Sequence, residues 1–147
     1  MLTDIQKLRE TTGAGVMACK KAFEETKGDF SQAIKILTER GQAKAEARSE
    51  RKTGAGVIQT YIHNGGRIGV MLELGIETDF AAKSEPFLEL ARNLVMHIAA
   101  VNPADTEVLI AQPYVRDESL TIDDLIKNTI GKVGENIKVE RFCRYEL

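Results

Sequence analysis

At Gly54 the hydrophobic period of this chain changes from that of a helix to that of a strand. Before it, apolar residues recur three and four places apart, as along one face of a helix. After it, Val57, Gln59 and Tyr61 alternate with Ile58, Thr60 and Ile62, and a second run covers Ile68 to Leu74. Between the runs stands Asn64-Gly65-Gly66. Asn and Gly tolerate the positive φ of a tight turn, so the pattern predicts an antiparallel hairpin. Pairing His63 with Gly66 sets Tyr61 opposite Ile68 and Val57 opposite Leu72, which gathers the larger apolar groups on one face.

The first forty residues predict three short helices. Thr3 followed by Gln6 makes a capping box, with Ile5 and Leu8 on one face behind it. Gly13 and Gly15 break that pattern. The second helix runs from about Val16 to Lys27, with Val16, Cys19 and Phe23 at helical spacing, and Gly28 stands where a C-terminal cap belongs. The third starts near Asp29, buries Phe30, Ala33, Ile34 and Leu37, and meets Gly41. From Gln42 to Lys52 only alanines are apolar, which suggests an exposed helical extension or linker. A bundle this small has a thin core.

Downstream, Ser84 caps a long helix through about Ala100, with Phe87, Ala91, Leu94 and Ile98 as its buried stripe, and Asn102-Pro103 stops it. The apolar run Val108-Leu109-Ile110 precedes Pro113 and a polar turn. Thr121 with Asp124 caps another helix, with Gly131 and Gly134 near its end. From Ile137 to Leu147 the chain alternates again, setting Ile137, Val139, Cys143 and Tyr145 against Lys138, Glu140, Phe142 and Arg144. This last strand closes a small antiparallel sheet. The fold class is α+β: a helical head over 1–52 and a sheet-and-helix core domain over 53–147.

The chemistry is sparse. The 147 residues are 43% hydrophobic and 29% charged, as in a soluble globular protein. No apolar run approaches the length needed to span a bilayer, and the first residues lack a secretory or transit signal, so the chain reads as cytoplasmic. Residues 1–52 carry 11 Lys/Arg against 8 Asp/Glu, and 53–147 carry 9 against 14. Neither part has the concentrated basic face of a nucleic-acid binder. Cys19 and Cys143 lie far apart without a zinc spacing, and read as two small buried hydrophobes. His63 and His97 stand alone, as surface or hydrogen-bonded structural residues. No nucleophile elbow is present. Gly13-Ala14-Gly15 and Gly54-Ala55-Gly56 lack the continuation of a phosphate loop. No catalytic residue, metal site or cofactor is expected.

The stretch Glu77-Thr78-Asp79-Phe80-Ala81-Ala82-Lys83-Ser84 links a strand to a helix. Residue type alone makes Asp79 the cap of a short turn and tucks Phe80 under the sheet. The other possibility is an aromatic presented on a polar loop to enter a partner's pocket, because function concentrates on such loops.

The motifs together resemble a known family. Leu8-Arg9-Glu10-x-Thr12-Gly13-Ala14-Gly15-Val16-Met17-x-Cys19-Lys20-Lys21-Ala22 resembles the N-terminal signature of elongation factor Ts. Glu73-Leu74-x-x-Glu77-Thr78-Asp79-Phe80 resembles its central motif. Ile130-Gly131-x-x-Gly134-Glu135-Asn136-Ile137 and Arg141-Phe142-Cys143-Arg144 resemble its C-terminal stretch. The ordered set touches nearly the whole chain.

The resemblance implies a ubiquitin-associated-like three-helix head and exchange of guanine nucleotide on elongation factor Tu. It assigns Asp79 and Phe80, with Thr78 beside them, to a loop that enters the GTPase domain, where the phenylalanine disturbs the magnesium and phosphate site and loosens GDP. It assigns Arg9, Val16 and Met17 to packing against a helix of the same domain. Val16 stands where many members have Met, and Ala81 where many have Val. Long members have two related halves in their core, whereas this chain has one. An insertion found in other short members is missing around Asn102–Val108. Short members work as homodimers, so a twofold dimer is expected, with Cys143 and Phe142 as candidate interface residues and Cys143 a buried thiol rather than a bridge. The alternative is a protein-interaction module without exchange activity, in which Phe80 is only core.

Overall fold

Three helices open the chain in the computed structural model, which describes residues 2–147: α1 (Leu2–Thr12), α2 (Val16–Glu25) and α3 (Phe30–Ala47). The hairpin β1 (Ala55–His63) and β2 (Ile68–Ile76) follows, then α4 (Glu85–Val101), α5 (Thr106–Ala111), β3 (Pro113–Tyr114), β4 (Asp117–Thr121), α6 (Ile122–Val133) and β5 (Ile137–Glu146). The fold is α+β, as expected.

Ile5, Leu8, Cys19, Ala22, Ala33 and Leu37 form the small core of the three helices. Asp29 caps α3 by accepting the Gln32 N–H at 3.0 Å. Gly28, at φ +88°, receives the chain after α2 and returns its N–H to the Phe23 carbonyl at 2.9 Å. Two boundaries differ from expectation. Helix α1 begins at Leu2, so Thr3 lies inside its first turn rather than at its cap. Helix α3 does not stop at Gly41 but runs on to Ala47. A Cβ placed on Gly131 would lie 3.5 Å from the Gly41 Cα, so the bare backbones of α3 and α6 approach closely here. Ala45 is buried in the main core, and Glu46 meets Lys127 of α6 at 3.2 Å. The segment read as an exposed extension is therefore a packing surface along one side.

The main sheet has the order β1-β2-β5, antiparallel throughout. Within the hairpin, His63 pairs with Ile68, Tyr61 with Val70 and Val57 with Leu74. The register is shifted by two from the expected one. Asn64, Gly65 and Gly66 all have positive φ (53°, 65° and 91°), and with Arg67 they make a longer turn than a two-residue hairpin. A slip of two keeps every side chain on its face. Leu72 accordingly remains on the apolar face, as expected, with Val70, Leu74 and Ile76 buried beside it.

β5 departs further. Leu74 pairs with Val139 and Glu73 with Arg141, leaving Glu140 as an unpaired bulge. Its carboxylate crosses to the Thr53 hydroxyl at 2.6 Å, over Gly75, where a Cβ would stand only 2.7 Å from Glu140 Oε1. The bulge inverts the alternation. Ile137 and Val139 are buried, but past Glu140 it is Phe142 that packs against the core, while Cys143 and Tyr145 are exposed. Placing Ile137, Val139, Cys143 and Tyr145 on one face was thus incorrect. Cys19 is buried as expected, whereas Cys143 is exposed in this chain. Arg144, on the inward side, donates Nε and Nη2 to the Ala99 carbonyl near the end of α4 at 3.1 and 2.9 Å.

Helix α4 covers the sheet with Phe87, Ala91, Leu94 and Ile98, the expected stripe. Ser84 occupies its N-cap position, but the hydroxyl donates back to the Ala81 carbonyl at 2.7 Å instead of accepting. Asn102, at φ +52°, ends the helix. The run 108–110 belongs to α5, which Asp105 caps through the Val108 N–H at 2.8 Å. The segment read as a polar turn is the β3–β4 hairpin. Thr121 and Asp124 form the expected capping box of α6, and Gly134 ends that helix at φ +77°.

His97 fastens β3 to α4. Its Nδ1 takes the Val115 backbone N–H at 3.2 Å, so the ring proton is on Nε2, which donates to Gln112 Oε1 at 3.0 Å. Burial lowers its pKa below 6.5, opposed by the Gln112 hydrogen bond. A lowered folded-state pKa gives stability that is present above the unfolded value and lost as pH falls through the folded one. Thermal midpoints should therefore decline from about pH 6.5 downward. In His97→Gln that part of the slope should flatten, and an unchanged slope would remove the assignment.

Candidate functional site

β2 ends at Ile76, and the chain turns sharply before α4. Thr78 organises the turn. Its hydroxyl accepts the Ala81 N–H at 3.2 Å and its carbonyl accepts the Ala82 N–H at 3.1 Å. The Phe80 carbonyl takes the Lys83 N–H at 3.3 Å and the Ala81 carbonyl takes the Ser84 N–H at 3.0 Å. Ala81 and Ala82 are buried beneath the turn, which anchors it from below. The cap role expected of Asp79 belongs to Thr78, and Asp79 is exposed.

Phe80 is 90% exposed. Burying a phenylalanine side chain is worth about 1.5–3 kcal/mol, and the folded chain forgoes nearly all of it here. Of the two readings of this stretch, the core ring under the sheet is excluded and the aromatic presented on a polar loop agrees with the exposure of Phe80, while Ala81 and Ala82 are the buried residues of the turn.

The turn is clasped from the α6–β5 connection. The Glu135 carboxylate accepts the Thr78 N–H at 2.9 Å and the Thr78 hydroxyl at 2.8 Å. In return the Asn136 N–H donates to the Glu77 carboxylate at 2.9 Å, and Arg51 stands 3.6 Å from the same oxygen. The buried Asn136 side chain donates to the Arg51 carbonyl at 2.8 Å. Residues 49–51, 77–78 and 135–136 are thereby tied into one knot. No role was assigned to Glu77, Glu135 or Asn136 from sequence, although all three stand inside quoted motifs. Their distance of nearly sixty residues along the chain hides the pairing until β2 and β5 are placed side by side.

The head contributes a second patch. Arg9 and Val16 are exposed and Met17 is 75% exposed, on either side of the α1–α2 turn. Gly13 in that turn, at φ +70°, lies so close to the Lys132 side chain that a Cβ would collide with it. Lys132 stands in the last turn of α6, three residues before Glu135. Both patches are thus seated on the same end of α6.

The dimer candidates separate. Cys143 lies on the outer side of the sheet and Phe142 on the inner. The outer side also carries Ile58, Ile62, Met71 and Tyr145, all exposed. A hollow of about 450 Å³ lies elsewhere, floored by Ile110, Ile126, Ile130 and Val139 between α5, α6 and β5. Lys127 on its rim is held by Asp123 at 3.0 Å and Glu46 at 3.2 Å, which makes this a structural seam.

A family model described as Elongation factor TS matches residues 77–147. The chain is 39% identical to Elongation factor Ts, chloroplastic, of Cyanidioschyzon merolae over 191 residues, covering 97% of this chain and 91% of the relative. It is 39% identical to Elongation factor Ts of Thermotoga neapolitana over 186 residues, covering 97% and 94%. With Elongation factor Ts of Nostoc sp. the identity is 46% over 143 residues, covering 97% of this chain and 45% of that one. The 191- and 186-residue alignments exceed the 147 residues of the chain, so those two relatives carry residues with no counterpart here.

Proposed function

The chain belongs to the elongation factor Ts family of translation elongation factors, and on that premise we propose that it promotes GDP release from elongation factor Tu. It acts as a guanine-nucleotide exchange factor, not a chemical catalyst. Asp79 and Phe80, projected by Thr78, enter the GTPase domain near its magnesium and phosphate site. Arg9, Val16 and Met17 of a ubiquitin-associated-like head (1–52) dock on the same domain, and 53–147 forms the core and dimerisation unit. The observation that carries this proposal is Phe80: a large apolar ring standing in solvent on a turn held by the Ala82, Lys83 and Ser84 backbone hydrogen bonds. An exposed ring on an ordered polar loop fits an anchor that finds its pocket in a partner.

Exchange requires only differential binding. The factor must hold the nucleotide-poor conformation of the GTPase more tightly than the GDP-bound one. By linkage, GDP must then weaken the grip of the factor by the same ratio. No cofactor or metal of its own enters this scheme, and neither nucleic acid nor a membrane is a direct partner. We place it in the cytoplasm, working as a homodimer whose contact is the outer sheet side with Cys143 a reduced thiol.

The test is release of a fluorescent GDP analogue from purified elongation factor Tu. Substoichiometric amounts of the protein should accelerate release. A folded preparation that leaves the rate unchanged would remove exchange activity and leave an interaction module.

A further inference from the structure

The clasp around Thr78 holds more than the backbone needs. Thr78 sits two residues before Phe80, and its hydroxyl has one proton to give. That proton goes to Glu135, which turns the oxygen lone pairs toward the Ala81 N–H. The result is a chain of bonds from the Ala81 amide through the Thr78 hydroxyl to the Glu135 carboxylate, a charged acceptor that also receives the Thr78 amide. The Thr78 amide and hydroxyl, and through the hydroxyl the Ala81 amide, therefore end on Glu135, beside the separate bond from the Ala82 N–H to the Thr78 carbonyl. Thr78 is itself exposed, so water would satisfy these groups if Glu135 were absent. What Glu135 supplies is one orientation of the turn rather than its formation.

We infer that Glu135 is the positioning residue for Phe80, fixing the direction of the ring before the partner arrives. This rests on the exchange function proposed above. An anchor that is ordered beforehand avoids the entropy cost of ordering it during binding. The gain would fall on the step in which the ring enters the nucleotide site, not on initial docking through the head. Losing Glu135 should thus lower the maximal rate of GDP release at saturating factor and leave the half-saturating concentration nearly unchanged.

Three variants test this in the full-length protein. Glu135→Ala should lower the maximal release rate about tenfold, the factor expected for a lost charge-assisted hydrogen bond. Glu135→Gln keeps an acceptor for the Thr78 N–H and should recover most of the rate. Thr78→Val removes the hydroxyl while keeping the shape and the amide bond to Glu135, and should lower the maximal rate in the same direction as Glu135→Ala. The double variant should lose less than the product of the two single losses, because both break the bond from the Thr78 hydroxyl to Glu135. Hydrogen exchange of the Thr78 and Ala81 amides, measured without elongation factor Tu, should accelerate about tenfold in Glu135→Ala. Wild-type release rates in folded Glu135→Ala, losses that multiply in the double variant, or unchanged amide exchange would each overturn the inference. Failure of the wild-type protein to accelerate release would overturn the exchange function instead, and the amide measurement would still decide whether Glu135 orders the turn.

Discussion

Phe80→Ala should slow GDP release from elongation factor Tu by roughly a hundredfold while leaving the thermal midpoint of the protein almost where it was. The two halves of this expectation come from one observation, the 90% exposure of the ring. A side chain that makes almost no contacts leaves no cavity when truncated, and surface substitutions of this kind usually change stability by less than about 0.5 kcal/mol. An interface anchor, in contrast, is worth roughly 2–4 kcal/mol, and every 1.4 kcal/mol is about tenfold in rate or affinity. Phe87→Ala is the matching control. Phe87 is fully buried on the inner face of α4, so its truncation should cost about 3–5 kcal/mol of stability and affect exchange only through the fraction that unfolds. Release of the GDP analogue and urea unfolding, run on both variants, separate the cases. If Phe80→Ala released GDP as fast as the wild type, the ring would not be the anchor.

Which parts of this molecule could be read from its residues follows from how local the deciding physics is. The capping box at Thr121 and Asp124, the stripe of α4 and the existence of the β1–β2 hairpin rest on neighbours a few places apart, and they stand as expected. The hairpin register missed by two because Asn64, Gly65 and Gly66 satisfy a two-residue turn and a longer one equally well. The β5 faces were misjudged because Glu140 looks like an ordinary member of an alternating run. It is a bulge whose carboxylate takes the Thr53 hydroxyl across Gly75, and Thr53 lies 87 residues away. Gly41 looked like a stop signal because its partner, Gly131, lies on another helix. For the candidate site, Thr78, Asp79 and Phe80 stood out by their polar surroundings and their motif. The exposure of Phe80 was legible only through the motif, since residue type alone favours a core aromatic after a strand. Its direction is set by Glu135, and no local pattern couples residue 78 to residue 135.

The bulge also creates the surface on which the second large effect is expected: Met71→Arg should convert a dimer into a monomer. The bulge at Glu140 turns Cys143 and Tyr145 outward, where they join Ile58, Ile62 and Met71 on a side of the sheet where all five are exposed among the described residues. Met71 is central to it, on the middle strand, opposite Thr60 of β1 and Cys143 of β5. This side is apolar apart from Thr60 and the Glu73–Arg141 ion pair at 3.1 Å, and an exposed apolar patch of this kind suits association with a partner. Two sheets packed face to face about 10 Å apart would cover it from a second copy. In a twofold contact the same patch serves both partners, so an arginine at position 71 enters twice. Leaving a buried charge unpaired costs roughly 3–5 kcal/mol, enough to weaken association by at least about a hundredfold. Met71 itself points away from the core, so the variant should fold with the wild-type circular dichroism spectrum. Sedimentation equilibrium at micromolar concentration gives the answer. A wild-type protein that sediments as a monomer would remove the outer sheet side as a dimer contact, and a Met71→Arg variant that stays dimeric would move the contact to another surface. With a monomer in hand, the GDP-release assay then asks whether one Phe80 turn suffices. The turn, its clasp and the head patch all lie within a single chain, tied through α6 and residues 135–136, so each monomer should retain exchange activity.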